Sequence, residues 1–86
     1  MPIAVPITQP YNENSYAIFS TATKVYIVDH VLDTVKVYDL NGTLVSSFGT
    51  EGSGLGEFIS PIGITGNAEK VAVLDNKRED IQVFGV

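Results

Sequence analysis

The chain has 86 residues, no cysteine, one histidine and no tryptophan, with ten acidic against five basic side chains and a formal net charge of -5. That length allows one small core, and the cysteine and histidine counts exclude a disulfide framework and an ordinary structural zinc site. The negative balance repels phosphate backbones and anionic lipid, so nucleic acid and membrane are set aside as partners, and neither a metal nor a cofactor is expected.

No charged leader precedes an apolar run, and no apolar run approaches the roughly 18 residues of a spanning helix, so a soluble chain is expected, with the cytoplasm slightly preferred. In chain order, "IAVPIT" (3–8) and "YAIFS" (16–20) are weak strand candidates. "KVYIVD" (24–29), "TVKVYD" (34–39) and "LVSSF" (44–48) are stronger, as are "IGIT" (62–65), "KVAVLD" (70–75) and "DIQVFG" (80–85). Each is rich in β-branched and aromatic residues and is bounded by Gly, Asn, Asp or Ser, which predicts an all-β fold.

The segments repeat. Lys24 aligns with Lys70, Asp29 with Asp75 and Val37 with Val83 at an offset of 46, without a gap, and "YAIFSTATK" aligns with "IGITGNAEK". "TLVSSF" matches "PIAVPI" at an offset of 41, so the repeating unit has four strands, one of them contributed by the first residues. Four antiparallel strands in roughly 40 to 50 residues is the repeat of a propeller blade, so residues 1–86 read as a two-blade unit. Blade one is predicted over 16–48 and the first three strands of blade two over 62–86, with 1–8 as an outer strand completing a neighbour's blade. Pro2 and Pro6 put their missing donors on one lateral side of that strand, as at an outer edge.

These motifs resemble NHL repeats, as a two-blade chain or a fragment of a longer propeller: Phe58, Pro61, "GIT", "VAVLD", "IQVF" and the connection "GTEGSGLGEF" fall in the family's order. The resemblance implies a propeller, commonly six-bladed, that binds protein or RNA, with lyase or hydrolase chemistry in some members. Thr34 and Asp80 replace an arginine frequent in the family, which counts against RNA. Three copies of a two-blade chain would close six blades as a homotrimer; four copies would close eight.

Gly52, Gly54 and Gly56 lack the spacing, lysine and following helix of a phosphate loop, so they read as a strand connection using positive φ. Asp29, Asp39 and Asp75 read as turn-closing Asx residues, and Asn41-Gly42 as a type I′ hairpin. His30 is the sole candidate general base and reads as a turn residue.

The expected function is a non-catalytic interaction scaffold with a protein partner. Its binding residues are His30, Val31, Leu32, Asp33, Glu51, Lys77 and Arg78, on loops at one end of the blades. Ile3, Val5, Ile7, Ile81 and Val83 are expected at the oligomer interface. The runner-up is a lectin-like carbohydrate or small-ligand binder that stacks on Tyr11, Tyr16 and Tyr26; an NHL-type lyase or hydrolase is third.

Overall fold

The computed structural model describes residues 15–85, with side chains from residue 17. Among these residues there is no helix, and so none long and apolar enough to cross a membrane. Strands β1 (Ser15–Ser20), β2 (Lys24–Asp29), β3 (Thr34–Asp39) and β4 (Leu44–Phe48) form a four-stranded antiparallel meander. β5 (Thr50–Glu51) and β6 (Glu57–Phe58) make a two-stranded parallel pair in the connection. β7 (Pro61–Gly66), β8 (Lys70–Asp75) and β9 (Asp80–Gly85) form a three-stranded antiparallel meander.

The repeat survives in the backbone. β7, β8 and β9 begin and end 46 residues after β1, β2 and β3, and the register irregularity between Ser15 and Ala17 recurs between Pro61 and Gly63. Expected strand 3–8 lies outside the described residues.

Equivalent turns use equivalent chemistry. Asp29 Oδ1 accepts from the N–H groups of Val31 and Leu32, and Asp75 Oδ1 from those of Lys77 and Arg78. Each turn then passes through a positive φ at a non-glycine residue, Asp33 (φ 54°) and Glu79 (φ 60°). At the other end Thr21 and Asn67 close matching turns by accepting from the N–H groups of Lys24 and Lys70. These side chains reverse the chain where the apolar runs stop, which is why the strands end there.

The Asn41-Gly42 hairpin differs from expectation. Gly42 has φ 87°, but Asn41 is not left-handed, so the turn is not type I′. Asp39 directs it instead: its Oδ1 accepts from the N–H groups of Asn41 and Thr43, and its carbonyl from that of Gly42. A type I turn followed by a left-handed glycine gives the same reversal with one more residue.

The two meanders stack face to face, and the core lies between them. Tyr26, Val28, Val35 and Val37 of the first meet Val71 and Val73 of the second, and Phe58 inserts from the connection. Ala17, Phe19, Phe48, Ile64 and Phe84 border this cluster. The sheets approach most closely where β7 lies against β1 and β2. Toward the later strands, aromatic rings fill the gap: Phe84 sits 4.8 Å from Phe48 and 5.7 Å from Phe58, centroid to centroid.

Candidate functional site

The loops expected to share one end of the sheets are tied together there. The Arg78 guanidinium donates to the Gly54 carbonyl at 2.9 Å, and the Asn76 N–H donates to Ser60 O at 3.2 Å. Thr34 Oγ1 reaches the carbonyls of Phe48 and Gly49, which joins the β2–β3 turn to the same connection. Residues 30–33, 49–60 and 76–79 thus converge.

The glycine-rich connection cradles a carboxylate of its own chain. Glu57 Oε1 accepts from the Gly54 N–H at 2.8 Å, and a Cβ on Gly52 or Gly54 would collide with that carboxylate. Gly52 (φ 153°) and Gly56 (φ 78°) adopt positive φ as expected, whereas Gly54 does not and is instead held small by the nearby Glu57. Gln82 locks the loop to β9, accepting from the Gly56 N–H and donating to Glu57 O, each at 2.8 Å. Loop geometry therefore serves its own closure.

Val31 and Leu32 are 55% and 57% exposed, so they do not fold beneath the turn. Leu55 is 94% exposed and was not singled out from the sequence, because an isolated leucine among glycines carries no periodic signal. Glu51 and Lys77 are exposed and His30 is half-buried. Arg78 is engaged structurally: besides Gly54 it grips Asp80 through two hydrogen bonds of 3.1 and 2.9 Å.

Asp33 behaves differently from its neighbours. It is buried, and its Oδ1 has no hydrogen-bond partner among the described residues. Burial, then the charges of Glu51 and Asp75, push its carboxyl above the ordinary carboxylate value, with His30 opposing. Asp75 goes the other way. Burial raises it, but hydrogen bonds from the backbone of Arg78, Ile59, Ser60 and Lys77 together outweigh burial and hold it low. Its Oδ2 accepts from the Ile59 N–H at 2.7 Å, pinning the arriving connection to the start of β7. No group of three or more metal-ligating side chains occurs among the described residues.

The outward sheet faces form the second candidate surface. Ile81 and Val83 of β9 are 61% and 64% exposed, beside half-exposed Leu74 of β8. On the opposite side of the stack Ile18 of β1 is 68% exposed, next to half-buried Ile27 and Val25. Ile3, Val5 and Ile7, the other expected interface residues, lie outside the described residues.

Between the sheets, at the β4 side, a cleft of about 390 Å³ is lined by Tyr26, Val37, Ser46, Phe48, Phe84 and Gly85, among others. Tyr26 is 2% exposed and packs 5.9 Å from Phe19, so it offers no open ring for sugar stacking. Tyr11, and the Tyr16 side chain, lie outside the described residues. No family model matches the chain, and no curated protein matches it.

Proposed function

We propose that the chain is a non-catalytic interaction scaffold: an oligomeric β-propeller of the NHL kind, to which each copy contributes two blades. One observation carries this reading. The face of the unit that is buried in the first sheet, through Val35, Val37 and Tyr26, is the face left open in the second, through Leu74, Ile81 and Val83. The complementary face is buried in the second sheet, through Val71 and Val73; in the first it is exposed at Ile18 and half-buried at Val25 and Ile27, while Tyr38 on the same face is buried.

Each copy therefore carries one half of its own internal contact at each end. Repeating that contact between copies covers both faces, and because it joins unlike surfaces it must close into a ring or grow without limit. Three copies give six blades, the number the family resemblance favours and within the usual range of roughly four to eight. Val31, Leu32, Glu51 and Lys77 then recur on one rim, where exposed apolar groups among charges suit a protein partner. Lectin-like binding draws less support, since Tyr26 is enclosed.

Sedimentation velocity tests closure. One species heavier than a single chain, with a coefficient independent of concentration, fits the ring, while a single-chain species or a coefficient that climbs with concentration contradicts it.

A further inference from the structure

We infer that the cleft between β4 and β9 is a strand-acceptor slot, filled by residues 3–8 of a second copy of this chain. This deepens the propeller reading, on which it rests, by naming the site that joins copies. The second sheet has three strands where the first has four, and β9 is its edge. Phe48 of β4 packs on Phe84 of β9 at 4.8 Å between ring centroids, and beside that contact opens a cleft of about 390 Å³ bordered by Ser46 and Ser47 on one side and Phe84 and Gly85 on the other. An edge strand offers unpaired N–H and C=O groups, and an added extended segment satisfies them while its side chains alternate between the two faces.

The occupant is read from the repeat. Residues 2–7 match residues 43–48, the segment that ends β4, at an offset of 41. In the first sheet Val37 pairs with Ser46 and Val35 with Phe48. Carried over by the two offsets, Val5 stands opposite Val83 and Ile7 opposite Ile81. Ile3 and Pro6 fall on the alternate side, toward the cleft and Phe84. The slot thus receives apolar groups on both faces, and Val5 and Ile7 extend the exposed apolar surface of β9 into a four-stranded face.

Direction of travel selects a second copy over the chain's own end. The connection after β4 leads from the outer strand of one sheet to β7, the inner strand of the sheet stacked on its Val37 face. The same step ending at β1 must start from a sheet on the opposite, Ile18 face. The chain's own β7–β9 sheet lies on the other side; the corresponding sheet of a neighbouring copy lies where it is needed.

The chain has no cysteine, which makes the test direct. Val5→Cys and Val83→Cys are made as separate variants, each with a different tag, then mixed, oxidised and run on a non-reducing denaturing gel. Residues directly opposite on antiparallel strands lie within disulfide reach, about 4.5 to 5.5 Å between Cα atoms. A mixed-tag covalent dimer that does not form when either variant is oxidised alone is the expected result. A third variant carries both substitutions in one chain; if it closes an internal disulfide while the mixed single variants form no cross-link, the inference is overturned in favour of the chain's own end. Absence of any cross-link, while light scattering still reports a multiple of the chain mass, overturns the slot and leaves the ring standing. A monomeric mass removes the ring itself. In the unsubstituted chain, β9 amides directed away from β8 should exchange at least about tenfold more slowly than in a chain lacking residues 1–8; equal rates also overturn the inference.

Discussion

Val37 is 3% exposed and Val83 is 64% exposed, although both stand at the same position of one repeated unit and pair in the same register with the preceding strand; β3 also pairs with β4, whereas β9 is an edge. The difference lies in what covers them. Val37 faces the second sheet, whereas the equivalent face around Val83 is open.

Charge placed at these two positions separates folding from assembly. Val37→Lys buries an unpaired ammonium in the core, at a cost of several kcal/mol, and should unfold the chain. Val83→Lys is tolerated by the single copy but blocks stacking of the next, so circular dichroism should retain strand signal while the mass falls to that of one chain. An unchanged mass would remove this face from the interface.

Gly49 lies against Phe58. A Cβ there would overlap the Phe58 ring and sit 3.3 Å from the Asp33 carbonyl, at φ 94°. Phe58 is fully buried and cannot yield. Gly49→Ala therefore combines overpacking with a strained φ, and urea titration should show a loss of about 2–4 kcal/mol. Gly56→Ala, where a Cβ meets nothing within 4 Å, should cost only the strain of its φ of 78°.

Asp75 should dominate the acid limb of stability. Its native carboxyl is held below the ordinary value, so its contribution is complete above the unfolded value of about 3.9 and is lost as pH falls through the lower native value. Asp75→Asn should cost roughly 2 kcal/mol at neutral pH and flatten the pH profile below about pH 4. Melting curves from pH 2 to 7 check both effects.

Asp33 has the opposite sign. Its native carboxyl is raised, chiefly by burial and then by Glu51 and Asp75, so stability is lower above the native value and recovers as pH falls toward the ordinary one. Asparagine tolerates the φ of 54° and removes the charge. Asp33→Asn should raise the melting temperature by a few degrees at pH 7 and by much less in acid. A lower melting temperature at pH 7 would sink this account of the site.

Much of the architecture is written in local pattern. Val, Ile, Tyr and Phe runs placed the strands of both meanders, weak candidate 16–20 included, and the offset of 46 predicted their equivalence. The Asx roles of Asp29 and Asp75 were legible because each aspartate ends a strand. What the sequence did not reveal depends on distant partners. The β5–β6 pair arises from closure around the Glu57 carboxylate, and Phe58 becomes core through Phe84, which lies across the connection. The Asx role of Asp39 was legible like those of Asp29 and Asp75; what departs from the sequence reading is the type of the turn it directs, which the Asn-Gly pair alone does not encode. Burial of Asp33 was likewise hidden, since its turn resembles that of Glu79, which is exposed. At the candidate site the exposure of Val31 and Leu32 agrees with a loop-tip reading, while the engagement of Arg78 by Asp80 and Gly54 required the fold.

Two stacked units that leave Ile18, Ile81 and Val83 exposed call for further copies to cover them. Light scattering on the eluted peak of the 86-residue chain, at micromolar concentration and with strand content verified by circular dichroism, measures this directly. A mass three times the 9.2 kDa of one chain is the expected result. A folded, stable species at 9.2 kDa would contradict it, because Ile18, Ile81 and Val83 would then face water in the native state.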